Sequence, residues 1–224
     1  MPKAPQKRVN QRGDATRDRI LDAAEKLFAE CGYDGTSMRD ISAEAEAELG
    51  SIGYHFRSKD DIFNKVIERR GESSSEKIAQ RLAAVLSENA APTFELILNA
   101  FASSIFDTFR HGTPGEMHYG RLMMQRLPVE ENGRIHSGLG RYYLKVRQQY
   151  LEALKQVAPA IPDAKLDWSF SLYELSFGSS LFSSTQKSFA LQQVSPESLQ
   201  DLQDSHVAFF AAGFHQLAAA SEPK

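Results

Sequence analysis

The sequence lacks several features of secreted and membrane proteins. It has one cysteine, Cys31, so no internal disulfide can form, which suits a reducing compartment. Its first residues contain no apolar segment like that of a secretory signal, and no stretch approaches the roughly 18 apolar residues of a membrane span. These absences predict a cytoplasmic protein with no membrane partner. We expect Cys31 to be buried on the apolar face of a helix.

Signatures of catalysis and of metal binding are also missing. The chain has no His-Glu-x-x-His, Cys-x-x-Cys or Gly-x-Ser-x-Gly motif and no phosphate-binding loop. The six histidines are scattered without the spacing of metal ligands. We therefore expect no enzyme activity, no cofactor and no metal site.

Apolar residues recur at helical spacing along the chain, and no segment shows the alternation of a strand. The pattern predicts an all-α fold of about nine helices. The first helix is expected over 16–31, the second begins after a cap at Thr36 or Ser37, and the third is expected over 49–55. A capping box at 58–61 begins the fourth. The others are expected over 93–110, 116–127, 131–157, 163–190 and 196–220. This layout predicts a small head, residues 16–74, on a larger helical body, residues 75–224.

Residues 36–59 have the layout of a helix-turn-helix, in which one short helix braces a second that reads base edges. The expected inward residues, which would pack on Leu21, Leu27 and Phe28, are Ile41, Ala45, Leu49, Ile52 and Phe56. Ser37 lies on the outward face, where the phosphate candidates are Thr36, Tyr54, His55 and Lys59. The candidates near bases are Arg39, Ser51 and Gly53. On spacing alone, a plain helical hairpin without a DNA role remains the alternative.

The N-terminus is locally basic although the whole chain has a formal net charge of −3. Residues 1–19 carry Asp14 and Asp18 against six cations, which are Lys3, Lys7, Arg8, Arg12, Arg17 and Arg19. We expect residues 1–15 to form a flexible basic arm. In front of a helix-turn-helix, Arg12 and Arg17 of such an arm can follow phosphates or enter a minor groove, although many basic tails are only solvated.

The order of motifs over residues 16–67 resembles the TetR family of transcriptional regulators. A first helix is followed by Gly-Tyr-x-Gly-Thr-Ser (32–37), Arg-Asp-Ile (39–41) and Gly-Ser-Ile-x-Tyr-His-Phe-x-Ser-Lys (50–59). The resemblance implies a homodimer that binds a palindromic DNA operator and usually represses transcription. It also implies a body pocket for a small-molecule inducer and a four-helix dimer interface built from the last two helices of each protomer.

Three positions depart from the family pattern. The turn usually reads Ala-Gly-Val followed by a small polar cap, whereas here it reads Ala-Glu-Ala-Glu (45–48). A positive φ at Glu46 would cost about 1–2 kcal/mol. Glu48 would bring a carboxylate near DNA phosphates, and Gly53 lowers helix propensity by about 1 kcal/mol. We therefore expect the recognition helix, residues 49–55, to be weakly ordered in the free protein and to become ordered on its operator.

The body contains side chains that can either line an apolar ligand pocket or form the core. The pocket candidates are Phe101, Ile105, Met117, Arg121, Met124, Trp168, Tyr173 and Phe177. Residues 121–217 loosely resemble a TetR subgroup that senses fatty acyl thioesters, because they contain Pro-x-Ile-Pro (159–162) and Ala-Phe-Phe-Ala-Ala-Gly (208–213). That resemblance implies an acyl or other apolar effector.

Small and aromatic residues alternate near the C-terminus and predict a twofold dimer interface. The expected interface residues are Phe177, Leu181, Phe182, Phe209, Phe210, Ala212 and Gly213. Such a dimer would set two recognition helices about 34–36 Å apart, one turn of DNA. The alternative function is a ligand-binding or interaction protein of the same fold with weak or lost operator binding, which Glu46 and Glu48 motivate.

Overall fold

The computed structural model describes residues 6–126, 137–181 and 196–222 of the 224-residue chain. Within these ranges there are nine α-helices and no strand, which confirms the all-α prediction. The helices are α1 (Gln6–Cys31), α2 (Met38–Glu44), α3 (Leu49–His55), α4 (Lys59–Glu88), α5 (Phe94–His111), α6 (Pro114–Arg126), α7 (Ser137–Val157), α8 (Asp163–Leu181) and α9 (Pro196–Ser221). Two compact units divide between Arg70 and Gly71, within α4. None of the described helices has the length and apolar character needed to span a membrane.

Capping residues set the helix ends in the first unit. The chain leaves α1 at Gly32, whose φ of 76° lies in the region open to glycine. Ser37 caps α2 in a capping box: the Asp40 amide donates to Ser37 Oγ at 3.2 Å, and the Ser37 amide donates to the Asp40 carboxylate at 2.8 Å. At the predicted start of α4, the Asp61 amide donates to Ser58 Oγ at 3.1 Å.

The core of the first unit joins α1, α2, α3 and the first part of α4. Its fully buried apolar side chains include Phe28, Ile41, Ile52 and Phe63. Glu25 of α1 is only 1% exposed, and its carboxylate accepts hydrogen bonds from Arg69 at 2.6 Å and Arg70 at 2.5 Å. Because a buried carboxylate is costly without such partners, this ion group fixes α1 against α4.

Aromatic rings dominate the core of the second unit. The ring of Phe101 lies between 5.3 and 6.0 Å from the rings of Tyr150, Phe170, Tyr173 and Phe177. The buried hydroxyl of Tyr173 donates to the Leu98 carbonyl at 2.7 Å, which satisfies the one polar atom on that side chain. The α7 and α8 helices therefore close on α5 through aromatic contacts.

A buried amide sets the pairing of α5 with α9. Gln203 is 3% exposed, and its amide nitrogen donates to Asn99 at 2.7 Å and to Ser103 at 2.9 Å. Its amide oxygen accepts from Arg110 at 2.9 Å. Since every polar atom of the Gln203 side chain is satisfied, this register of α9 on α5 is favoured over a shifted one.

Several sequence predictions need correction. The predicted flexible arm over residues 1–15 is helical from Gln6, while residues 1–5 lie outside the described ranges. Cys31 is exposed, because it is the last residue of α1 and the chain turns away immediately after it. Residues 131–136 and 182–190 of the predicted helices also lie outside the described ranges.

Candidate nucleic-acid interface

The turn between α2 and α3 has the unfavourable backbone that the sequence predicted. Glu46 has a φ of 47°, which confirms a left-handed conformation at a residue with a Cβ. The turn is closed by Ser42, whose hydroxyl donates to the Ala47 carbonyl at 2.6 Å. Glu48 is the N-cap of α3, but its side chain makes no capping hydrogen bond. The α3 helix therefore starts from a strained turn without a side-chain cap.

One face of the α2–α3 pair packs inward, largely as predicted. Ile41, Ala45, Ile52 and Phe56 are buried. Leu49 was predicted to join them, but it is 48% exposed. It lies in the first turn of α3, where Ile52 and Phe56 already supply the buried side of the helix. Leu49 is therefore an outward residue.

The opposite face carries exposed polar and aromatic side chains. Tyr54 is 86% exposed, Arg39 and Gly53 are exposed, and Ser51 and His55 are half-buried. A Cβ built on Gly53 would meet no atom within 4 Å, so α3 has open space at this position. The structure thus brings these five predicted residues onto the outward side of two helices braced by α1.

Ser37 and Thr36 both direct their hydroxyl protons to acceptors within the protein, although Ser37 is exposed and Thr36 is buried. Ser37 is exposed, and its hydroxyl donates to the Asp40 carboxylate at 2.6 Å. This hydrogen bond, together with the one from the Ser37 amide, lowers the pKa of Asp40. Thr36 is 2% exposed, and its hydroxyl faces the carbonyls of Gly32 at 2.8 Å and Leu27 at 3.2 Å. The expectation of a phosphate contact from the Thr36 side chain is therefore wrong, because its one hydroxyl proton is directed into the protein.

Lys59 is half-buried and faces the turn between α1 and α2. Its ammonium group donates to the Tyr33 carbonyl at 2.9 Å and to the Thr36 carbonyl at 3.0 Å. The same nitrogen lies 4.1 Å from the centroid of the Tyr33 ring. Tyr33 also donates its hydroxyl proton to Asp60. Nothing in the sequence motif alone indicated this inward role.

The first part of α1 runs beside the end of α3. The guanidinium carbon of Arg17 lies 5.8 Å from the centroid of the Phe56 ring. A Cβ built on Gly13 would lie 3.9 Å from the imidazole ring of His55. The side chain of Arg12 lies outside the described residues. Residues 6–15 contain no proline, which permits the N-terminal extension of α1. The basic composition of this segment led to the prediction of a flexible arm instead.

The predicted pocket residues of the body differ widely in exposure where the structure describes their side chains. Phe101, Ile105, Tyr173 and Phe177 are buried among their neighbours in the core, and Arg121 is half-buried. Met117 is 39% exposed and Trp168 is 66% exposed. The assignment of Trp168 to a pocket wall is therefore wrong, since this side chain projects from the outer side of α8. The side chain of Met124 lies outside the described residues.

A groove of about 390 Å³ lies between α4 and α7. Its lining residues, none of which was predicted, are Ala79, Gln80, Leu82, Ala83, Leu86, Gln149, Glu152, Ala153 and Gln156.

The predicted interface residues divide into exposed and buried sets. Phe209 is 75% exposed, Ala212 and Gly213 are exposed, and Phe210 is half-buried. Phe177 is fully buried against His206, at 4.3 Å between ring centroids, so its assignment to a subunit interface is wrong. The side chain of Leu181 and all of Phe182 lie outside the described residues.

An exposed apolar stripe on α8, which was not predicted from the sequence, is formed by Trp168, Leu172 and Leu175 at 66%, 42% and 41% exposure. Their i, i+4, i+7 spacing was the available signal.

Two family models match the chain. One, described as bacterial regulatory proteins of the tetR family, matches residues 20–66. The other, described as a tetracyclin repressor-like C-terminal domain, matches residues 99–213, just over half of the chain.

Curated relatives match part of the chain. The biofilm operon icaADBC HTH-type negative transcriptional regulator IcaR of Staphylococcus epidermidis is 42% identical over 52 residues, 23% of this chain and 28% of the relative. The HTH-type transcriptional regulator AcrR of Shigella flexneri is 26% identical over 104 residues, 46% of this chain and 48% of the relative. The chain thus aligns with about a quarter to a half of the length of these relatives.

Solved structures match over most of the chain. AmtR of Mycobacterium smegmatis has a TM-score of 0.55 at 20% identity and covers 93% of this chain and 96% of its own. A TetR-family transcriptional regulator from Bordetella parapertussis has a TM-score of 0.59 at 17% identity and covers 87% of this chain and 93% of its own. These similarities show a shared fold. With both family models matched in order along the sequence, the chain belongs to the TetR family of bacterial regulatory proteins.

Proposed function

We propose that this protein binds a palindromic DNA operator as a homodimer and represses transcription. The observation that carries the proposal is the two-sided α2–α3 pair. Ile52 and Phe56 anchor it to the first unit, while Arg39 and Tyr54 project outward. A helix braced in this way can enter a major groove without losing its own packing.

The outward residues have separate roles in this proposal. Arg39 and Ser51 contact base edges, since a guanidinium or a hydroxyl can pair with them. Tyr54 and His55 contact phosphates and fix the register of the protein on the duplex. Gly53 leaves room for the DNA backbone or a base to approach α3. Arg17 of α1 adds positive charge beside the end of α3, and Arg12 on the same helix is proposed as a further phosphate contact.

Repression is proposed from the family and from the similarity of 52 residues of the chain to IcaR, which is named a negative transcriptional regulator. Binding as a dimer is proposed from the exposed apolar residues of α8 and α9. Phe209, Trp168, Leu172 and Leu175 are costly to leave in water and would be covered in a twofold four-helix interface. We further propose that a small, largely apolar effector, such as an acyl compound, binds the body and releases the DNA.

Sequence-selective DNA binding tests this function directly. Wild-type protein is used to enrich duplexes from a random library, and affinity for the enriched duplex is compared with affinity for a shuffled one. We expect an enriched palindrome bound at least about 10³-fold more tightly than the shuffled duplex. Arg39→Ala should lower affinity for the palindrome by about 1–3 kcal/mol and relax preference at one position. Enrichment of no sequence would contradict the proposal.

The second candidate function is a ligand-binding or interaction protein of this fold that has lost its operator. The exposed carboxylates of Glu46 and Glu48, beside the start of α3, favour it because they repel phosphates. Uniformly weak binding to all duplexes, together with saturable binding of an apolar compound by the body, would support this candidate instead.

A further inference from the structure

The start of α4 holds the turn between α1 and α2 through one ammonium group. Lys59 Nζ donates to the carbonyls of Tyr33 and Thr36, at 2.9 and 3.0 Å, and lies 4.1 Å from the Tyr33 ring centroid. An ammonium has three protons to donate, and two of them are directed at the turn. All of these groups belong to the first compact unit.

The first turn of a helix is an unfavourable place for a cation, because the helix dipole is positive there. The next two residues, Asp60 and Asp61, are acidic, as the dipole favours. Lys59 gains instead from two carbonyl oxygens and from the face of an aromatic ring. The position of this lysine is therefore explained within the protein, without any external anion.

The turn that Lys59 holds leads directly into α2. Thr36 is anchored on its other side, since its hydroxyl lies 2.8 Å from the Gly32 carbonyl. Ser37, the next residue, is the N-cap of α2. A shift of the Thr36 carbonyl would therefore move the cap of α2 and, through the short turn that follows, α3.

We infer that Lys59 is a positioning residue: it holds the α1–α2 turn, and with it α2 and α3, in the geometry that binds DNA, and it makes no phosphate contact. The inference rests on the proposed operator binding and identifies one residue on which that binding depends. It differs from the expectation drawn from the sequence, in which Lys59 was itself a phosphate contact.

Hydrogen-bond scalar couplings measured by NMR on wild-type protein test the inference without any mutation. The probe is the duplex enriched from a random library, and spectra are recorded with and without it. We expect couplings from Lys59 Nζ to the carbonyl carbons of Tyr33 and Thr36 in both states. Loss of these couplings on DNA, with a new coupling from Nζ to phosphorus, would overturn the inference while leaving the proposed function intact.

Lys59→Met supplies a second test, with Lys65→Met on the same helix as the matched control. Lys65 pairs with Glu68, at 2.7 Å, in an exposed i, i+3 contact. We expect Lys59→Met to lose at least about 10-fold in affinity with an unchanged dependence of log K on log salt, and Lys65→Met to stay within about twofold of wild type.

The possible outcomes separate the two proposals. A salt slope reduced by about 0.9 in Lys59→Met would identify a phosphate contact, and wild-type affinity in that variant would exclude a positioning role; either result overturns the inference. If Lys59→Met fails to fold, the wild-type couplings decide. A wild-type protein that selects no duplex overturns the proposed function, and the inference with it.

Discussion

Glu46 connects a local backbone conformation with the behaviour of the candidate interface. Its φ of 47° is one that residues with a Cβ rarely adopt, and no positive φ occurs at any other non-glycine residue in the described ranges. The strain lies at the residue that joins α2 to α3, which is where the sequence departs from its family's usual glycine. Local strain of this kind lowers the stability of the turn without altering the packed face.

Glu46→Gly should raise the free energy of unfolding by about 1 kcal/mol, because removal of the Cβ relieves the left-handed conformation. Thermal melting followed by circular dichroism measures the effect. Glu46→Gln keeps the Cβ and removes only the charge, so it should melt with the wild type. A glycine variant that melts no higher than the glutamine variant would contradict the strain at this turn.

His206 should make the stability of the protein fall in mild acid. The centroid of its imidazole ring lies 4.3 Å from that of Phe177 and 5.0 Å from that of Phe210. Burial lowers the pKa of His206 from 6.5 to about 4. The unfolded chain binds the proton more readily than the folded protein. The stability contributed by the neutral His206 is therefore fully present above pH 6.5 and is lost as the pH falls toward 4.

His206 Nε2 lies 2.9 Å from Ser176 Oγ, a contact that a glutamine amide can also make. In His206→Gln, the melting temperature should fall less than in wild type between about pH 7 and pH 5. Equal falls in the two proteins would show that His206 makes no such contribution.

At the scale of the helix, α3 depends on its neighbours more than on its own sequence. It has seven residues, two of them glycine, and its N-cap Glu48 makes no side-chain capping bond. A helix this short is marginal in isolation. Its order therefore comes from Ile52 and Phe56, which are buried in the first unit.

Amide exchange should be faster in residues 49–55 than in the middle of α1 in the free protein, and should slow when the enriched duplex is added. Glu48→Ser supplies a capping hydroxyl and should slow exchange in α3 before DNA is added. The free energy of local opening of α3 should rise by about 0.5–2 kcal/mol. Protection in free wild-type α3 equal to that in α1 would refute the weak order of this helix.

The pairing of α5 with α9 depends on a buried amide. Gln203→Ala should lower the free energy of unfolding by about 1–3 kcal/mol, because it removes the hydrogen bonds of a buried side chain to Arg110, Asn99 and Ser103 and leaves its volume unfilled. Gln200 also bonds to Arg110, at 3.0 Å, but is exposed, so Gln200→Ala should change stability by less than about 0.5 kcal/mol. Similar losses in both variants by chemical denaturation would argue against this role of Gln203.

The caps at the start of α2 and α4 and the end of α1 could be predicted from the sequence, because they depend on local chemistry, whereas the start of α1 at Gln6 could not. Ser37, Ser58 and the glycine at position 32 are examples, and the inward set Ile41, Ile52 and Phe56 follows from helical spacing.

The direction of an individual polar or aromatic side chain could not be predicted in the same way. Thr36, Lys59 and Phe177 were all assigned outward roles, yet each faces groups that are brought near only by the tertiary fold. Trp168 shows the opposite error, since periodicity alone does not tell which side of α8 meets the body.

For the whole molecule, the exposed apolar residues of α8 and α9 predict a dimer in solution. Phe209→Asp should shift sedimentation at micromolar concentration from dimer to monomer, because it places a carboxylate in the proposed interface. Leu144→Asp is the control: Leu144 is 48% exposed on α7, outside the proposed interface, and the variant should remain dimeric. A wild-type monomer, or a dimer that survives Phe209→Asp, would contradict the proposed interface.

The most direct test of operator recognition is the salt dependence of affinity for the enriched duplex, measured with its stoichiometry. Two protomers should bind each palindrome, and about 6–10 phosphate contacts should reduce affinity on the order of 10³–10⁵-fold between about 50 and 200 mM salt. A shuffled duplex should be bound far more weakly at every salt concentration. Weak binding that is equal for both duplexes across this range would contradict operator recognition by this protein.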